Sequence, residues 1–273
     1  MRLALFTDVH FGPPTRFGGK LRKLCHLARP LLEGIVRQLN EVEHPDIVIN
    51  LGDVIEDEAR EQDQARYREF LAVLGNSRAP VIHVAGNHDQ VNLTPEDLAS
   101  LWSHDGLLHY SRDIAGVHFA VLCSHEQQDT QVTVPDPQVE WLAADLAQTP
   151  LPSVVLVHHP LGEMDLTGNR WFEGRSHVCL VSNRSTLREI IESSGNVVAV
   201  FNGHAHWHHI DRHRPVPYVT LQSLIENVDD DAPGRAAGAF CIADLANGTL
   251  KLSGRGDPQY EIVFPTRAQS DSF

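Results

Sequence analysis

The stretch Gly86-Asn87-His88-Asp89 decides how the rest of the chain is read. It follows the apolar run Ala79-Pro80-Val81-Ile82-His83-Val84-Ala85, which predicts a short buried strand, so the four residues fall where a strand ends and the chain turns. Gly86 permits a sharp turn that a Cβ would obstruct. Asn87 brings a neutral oxygen and His88 a titratable base into a tight loop where neither buries apolar area. That combination suits coordination better than packing, and the other strand ends of the chain carry matching residues.

Working outward, Leu3-Ala4-Leu5-Phe6 predicts a first buried strand, closed by Thr7-Asp8-Val9-His10. In an extended segment the Asp-x-His spacing turns both side chains to one face. Ile47 to Leu51 is a second apolar run, ended by Gly52-Asp53; Pro152 to Val157 a third, ended by His158-His159-Pro160; Val197 to Phe201 a fourth, ended by Asn202-Gly203-His204-Ala205-His206. Ligand sites of open α/β sheets gather at the carboxyl ends of strands, so these residues can converge.

Asp8, His10, Asp53, Asn87, His158, His204 and His206 offer more oxygen and imidazole donors than one ion requires. They suit two ions that share a carboxylate: Asp8, His10, Asp53 and His206 on the first, and Asp53, Asn87, His158 and His204 on the second. Carboxylate, amide and imidazole donors without thiolate favour Mn, Fe or Zn over Ca. Two such ions about 3.5–4 Å apart can ready a water and neutralise a phosphoryl group during in-line displacement. His88 is surplus to the coordination count and free to give a proton to the leaving oxygen. Asp89 either holds the other ring nitrogen of His88 or caps a helix.

Between these segments, helical spacing is expected from about Cys25 to Glu43, Asp63 to Leu74, Pro137 to Ala147 and Leu187 to Ser193. Thr94-Pro95-Glu96-Asp97 reads as a helix start with a capping box. Gly106 to Tyr110 and Val117 to Cys123 predict antiparallel strands with His109 and His118 on the sheet surface. Further short strands are expected at about 208–212, 216–222, 237–244 and 248–254, with turns at Pro215-Val216-Pro217 and a hairpin at Asn247-Gly248. Residues 1–265 thus read as one α/β domain and 266–273 as a frayed tail.

The loop from Phe11 to Leu24 is basic, and Arg16 or Lys20 could meet a substrate phosphate. The irregular segment 161–183, with Trp171 and Phe172, could wall a pocket, and Trp207 either packs or stacks on a base. Glu56-Asp57-Glu58 reads as an acidic stretch that only solvates its loop.

Composition narrows the function. A formal net charge of −14 over 273 residues disfavours a duplex nucleic-acid binder, which needs a basic footprint. No run of eighteen apolar residues occurs and a strand begins at once after Met1, so the expectation is a cytoplasmic protein without a membrane partner. Cys25, Cys123, Cys179 and Cys241 lack paired spacing and read as reduced core residues. Seventeen histidines are the anomaly, and they invite a search for metal sites.

Through Asp8-x-His10, Gly52-Asp53, Gly86-Asn87-His88-Asp89, His158 and Gly203-His204-x-His206 the chain resembles the calcineurin-like metallophosphoesterases. The resemblance implies a four-layer αββα sandwich of two mixed β-sheets flanked by helices, a binuclear Mn/Fe-type centre, and the ligand roles just given. It is nearest in pattern to the class III cyclic-nucleotide phosphodiesterases and the bacterial glycerophosphodiesterases. That implies a small phosphodiester substrate, and family behaviour allows a homodimer. Leu224-Ile225-Glu226-Asn227, Gly238-Ala239-Phe240 and Leu252-x-Gly254-Arg255-Gly256 are similar to manganese-dependent ADP-ribose and CDP-alcohol pyrophosphatases. Those usually carry Gln where this chain has His10, which disfavours that alternative. A non-catalytic binding module of the same fold is the alternative from another class.

Overall fold

The computed structural model describes residues 1–104, 106–127, 131–213 and 216–266, so Pro215 of the expected turn and the tail beyond 266 lie outside the described residues. Strand Arg2–Phe6 shows why two sheets form. Leu3 and Leu5 enter one core while Ala4 and Phe6 enter another, and a strand apolar on both faces has to be covered on both.

One six-stranded sheet runs, edge to edge, Tyr260–Pro265, Thr249–Arg255, Phe240–Ala246, Arg2–Phe6, Ile47–Asn50 and Val81–His83. The last three are parallel to one another and the others antiparallel. The second sheet runs His209–His213, Val216–Thr220, Val197–Asn202, Ser153–Leu156, Val117–Val121 and Tyr110–Ile114, with four parallel strands inside two antiparallel edges.

Leu3, Leu5, Ile47 and Ile49 face Phe119, Val121, Val154, Leu156 and Phe201 across the space between the sheets. Each such side chain contributes about 1.5–3 kcal/mol by leaving water. On the outer face of the first sheet, helices Ala28–Gln38 and Arg60–Leu74 pack Leu32, Val36, Tyr67 and Phe70 onto Ala4, Phe6 and Val48. Helices Asp136–Gln148 and Arg184–Ser194 do the same for the second sheet through Leu142, Leu146, Leu187 and Ile191. The four layers expected from the resemblance are therefore present.

Local signals held where their chemistry is local. Thr94 accepts from the Asp97 N–H while the Asp97 carboxylate accepts from the Thr94 N–H, a complete capping box. Ala246 pairs with Thr249 across Asn247-Gly248, both at positive φ, as a two-residue hairpin requires. All four cysteines are buried and unpaired.

Two expectations need correction. The strand expected from Gly106 starts at Tyr110 and runs to Ile114, because Gly106 and Leu107 are exposed before the pairing begins. His118 is buried rather than on the surface, held by Asp113 at 2.6 Å and Asp145 at 2.8 Å, the second from a helix that covers it. A sixth strand, Tyr260–Pro265, was not anticipated; it forms the edge of the first sheet. Among the described residues no helix is long and apolar enough to cross a membrane.

Candidate metal centre

Strands Arg2–Phe6, Ile47–Asn50 and Val81–His83 of one sheet and Ser153–Leu156 and Val197–Asn202 of the other release the chain at one common edge. There the turns bond to each other: Asp8 N–H to Gly52 O at 3.0 Å, His10 N–H to Asp53 O at 3.1 Å, and Gly203 N–H to His158 O at 2.9 Å. Asp8, His10, Asp53, His204 and His206 all lie at positive φ, between 48° and 67°. Non-glycine residues take this region at a cost of order 1–3 kcal/mol, and such strain collects at functional sites. Asp8 and His10 therefore do not sit in an extended, alternating segment. They reach one point because the backbone is left-handed at both, not because the segment is extended.

Gly86 and Gly203 are required by close approach. A Cβ on Gly86 would stand 2.1 Å from Asp53 Oδ1, and one on Gly203 1.9 Å from Thr7 Oγ1.

The seven expected donors come together. Asp8 Oδ1 lies 3.4 Å from His206 Nε2 and 3.8 Å from His10 Nε2, and the two histidine nitrogens face each other at 3.1 Å. Asp53 Oδ2 stands between this group and the rest, 3.8 Å from His10 Nε2 and 3.3 Å from His158 Nε2. Asn87 Oδ1 lies 3.1 Å from His158 Nε2 and 3.0 Å from His204 Nδ1. Asp8–His10–His206 and Asp8–Asp53–His158 each gather their donor atoms within 4.8 Å.

Three features show that this set fits metal cations. Outer partners fix the tautomers: Leu51 O takes the His158 Nδ1 proton at 2.8 Å and Val178 O the His204 Nε2 proton at 3.0 Å, which aims a lone pair of each ring at Asn87 Oδ1. Glu56 at 2.9 Å and Glu226 at 2.8 Å do the same for His10 and His206 through Nδ1. Among the described residues Asp8 Oδ1 is buried without a hydrogen-bond partner, an arrangement that costs free energy unless a cation meets it.

The electrostatics agree. Burial alone would depress His158 and His206, yet Asp53 for the first and Asp8 for the second lift both to about 9. The same contacts overcome burial to hold the Asp8 and Asp53 carboxyls well below the usual range. Burial and the neighbouring His158 push His204 down to about 3. The centre thus draws positive charge to the atoms that would ligate it.

An ion bound only by the folded chain stabilises it by mass action, about 2.7 kcal/mol per site at a hundredfold excess over Kd. Chelation is accordingly expected to lower the melting temperature by several degrees, roughly 2–4 °C per kcal/mol at this chain length. Calorimetry with and without EDTA measures it, and an unchanged melting temperature would count against the site.

Four side chains at the centre escaped the sequence reading. Lys23 is buried, with Nζ 2.8 Å from Glu56 Oε2, 3.4 Å from His10 Nδ1, 3.3 Å from His88 Nε2 and 5.3 Å from the Trp171 ring centre. Glu56 and Asp57 do more than solvate a loop: Glu56 carries His10, and Asp57 Oδ1 bonds His88 Nδ1. Glu226 accepts from His206 and, at 3.0 Å, from Trp171 Nε1. The contact expected between Asp89 and His88 is not made. Asp89 instead accepts from the N–H groups of Val54 and Gly86, both at 2.9 Å, and so ties the Asp53 turn to the Gly86 turn. Burial and the nearby Asp53 charge raise its carboxyl to about 7.

Arg16 and Lys20 do not reach the centre; they pair with Asp231 and Asp230. The wall expected from 161–183 is present, with Trp171 5.3 Å from His206 and Phe172 4.7 Å from His204 between ring centres.

With this geometry in hand, known proteins place the chain. The family model described as calcineurin-like phosphoesterase matches residues 1–208, and the chain belongs to that family. It is 26% identical over 200 residues to the glycerophosphodiester phosphodiesterase GpdQ of Enterobacter lignolyticus, covering 71% of this chain and 68% of that protein. It is 27% identical over 170 residues to a probable cyclic nucleotide phosphodiesterase of Synechococcus, covering 59% of this chain and 58% of that one. A dimetal phosphatase from Danio rerio shares the fold with a TM-score of 0.77 at 18% identity, over 97% of this chain and 98% of that one.

Proposed function

We propose that the chain is a two-metal phosphodiesterase acting on a small anionic phosphodiester such as a cyclic nucleotide or a glycerophosphodiester. The first cation is assigned to Asp8, His10, Asp53 and His206, the second to Asp53, Asn87, His158 and His204, with Mn or Fe favoured by the donor types. The observation that carries the reading is Asp53 Oδ2, 3.8 Å from His10 Nε2 on one side and 3.3 Å from His158 Nε2 on the other, where one carboxylate can serve both ions.

When bound, such a pair neutralises charge at phosphorus and lowers the pKa of an attacking water. The chain's own residues do the rest. Asp57 bonds His88 Nδ1 and, with the Asp53 charge, favours the protonated ring, so Nε2, 3.3 Å from Lys23 Nζ, is the ring nitrogen left to give a proton to the leaving oxygen. The names of the two curated relatives support a diester substrate.

The test is hydrolysis of bis-p-nitrophenyl phosphate by Mn-loaded protein, beside Asn87→Ala and His88→Ala. Both variants are expected to lose about a hundredfold or more in kcat/KM, Asn87→Ala through metal binding and His88→Ala without loss of metal. Absence of turnover in the parent, or full activity in Asn87→Ala, would overturn the reading. Assaying ADP-ribose beside cyclic AMP separates the pyrophosphatase alternative.

A further inference from the structure

Beside His206 the surface opens into a cavity whose wall includes Trp171, Trp207, Gln222, Glu226 and Arg170. Trp171 and Glu226 border the metal centre, whereas Trp207, Gln222 and Arg170 have no part in the donor set assigned to it. Trp207 follows ligand His206 directly, lines the cavity and is 38% exposed, which leaves part of the residue open to a ligand. Among the described residues it makes no ring contact. Trp171 is by contrast a fixed wall: its Nε1 donates to Glu226 at 3.0 Å and its ring meets Phe17 at 4.9 Å between centres.

The polar side of the cavity is equally selective. Gln222 lines it, and its carboxamide oxygen is buried without a hydrogen-bond partner among the described residues. A buried unpaired acceptor is costly, and a carboxamide offers a donor and an acceptor side by side. Glu226 Oε2 is occupied by His206 and Trp171, and Arg170 lies 3.9 Å from its Oε1. Arg170 is held at the rim by the carbonyls of Asn227 at 2.6 Å and Asp229 at 3.1 Å.

We propose that this cavity takes the base of a nucleoside-bearing substrate, stacked on Trp207 with its polar edge against the Gln222 carboxamide, while the phosphate lies at the neighbouring centre. The inference rests on the two-metal reading for where the phosphate sits. A flat π-face matches the exposed indole, and the adjacent donor and acceptor of a base edge match an amide. A glycerol arm offers neither. His206 and Trp207 both line the cavity, so its wall reaches from the stacking surface to a residue of the centre.

The experiment is calorimetric binding of AMP, ribose 5-phosphate and phenyl phosphate to Mn-loaded protein, which requires no turnover. AMP is expected to bind roughly tenfold or more tighter than ribose 5-phosphate, the stacking contribution of one base. Trp207→Ala should erase that difference while ribose 5-phosphate binds as to the parent, and Trp207→Phe should restore part of it. Gln222→Ala should weaken AMP several-fold and leave phenyl phosphate unaffected.

Equal affinity of the parent for AMP and ribose 5-phosphate would overturn the proposal, as would phenyl phosphate binding as tightly as AMP. AMP selectivity that survives Trp207→Ala would overturn it too. Selective AMP binding in a protein that hydrolyses no diester would leave the base pocket standing and remove the phosphodiesterase reading, so the two fail separately.

Discussion

Asp53→Asn is expected to lower turnover of bis-p-nitrophenyl phosphate by well over a hundredfold and to reduce metal content at saturation from two ions per chain to one or fewer. The loss should exceed the roughly 10–100-fold that removal of an outer-shell partner costs, because this residue is assigned the oxygen shared by the proposed ions. The geometry fixes how the amide would sit. Asp53 Oδ1 accepts from the His88 N–H at 2.9 Å, so the amide oxygen keeps that place and the NH2 group takes the place of Oδ2. There it faces His158 Nε2 and His10 Nε2, and donates protons where cations are assigned. The variant is isosteric and keeps its backbone bond, so the metal-free form should stay folded with a melting temperature near that of metal-free parent. Activity within tenfold of the parent, or two ions retained, would show that Asp53 is not shared.

The parts of the centre legible in the sequence are those tied to a strand end. Apolar runs such as Leu3–Phe6 and Val197–Phe201 announce where the chain leaves the sheet, and a polar residue placed just after such a run has one place to go. The outer partners carry no such marker. Glu56 lies 46 residues from His10 in sequence, and Glu226 20 residues past His206. Each looked like any acid in an acidic chain. Lys23 was hidden by its company, since Arg16, Lys20 and Arg22 beside it do face solvent acids and only its place in the strand Lys20–Lys23, paired with Thr15–Phe17, turns one ammonium inward.

Backbone strain was illegible for a different reason. Positive φ at Asp8 and His10 is imposed by hydrogen bonds to Gly52 and Asp53 more than forty residues away, which no local propensity encodes. The same holds for His118, whose burial depends on Asp145 of a later helix. The sequence offers Asp89 only its neighbours, as a partner for His88 or as a helix cap; the fold sends its carboxylate instead across the two turns that position Asp53.

Lys23→Met is expected to destabilise the chelated protein by about 3–5 kcal/mol and to cut turnover of the metal-loaded enzyme by about tenfold or more. Lys23 and Glu56 are only 5% and 12% exposed at their side chains and 2.8 Å apart, so the pair is buried, and breaking it strands a carboxylate in a low-dielectric site. That carboxylate carries His10, and the Asp8 and Asp53 charges lie close by. Nothing else described near Glu56 brings a permanent positive charge as close as Lys23 does. Bound cations would supply part of the missing charge, so the stability loss should be smaller in metal-loaded protein than after chelation, and the size of that difference reports how far the ions and Lys23 act on the same charges. Glu56→Gln in the Lys23→Met background removes the stranded charge while leaving an oxygen for His10 Nδ1. The double variant should therefore be more stable than Lys23→Met alone, a coupling of more than about 1 kcal/mol by urea denaturation. Turnover should not recover with it, because Nζ, 3.3 Å from His88 Nε2, is gone in both. Additive losses in the cycle would mean that Lys23 acts by packing against Trp171 rather than through charge, and turnover restored together with stability would remove its role beside His88.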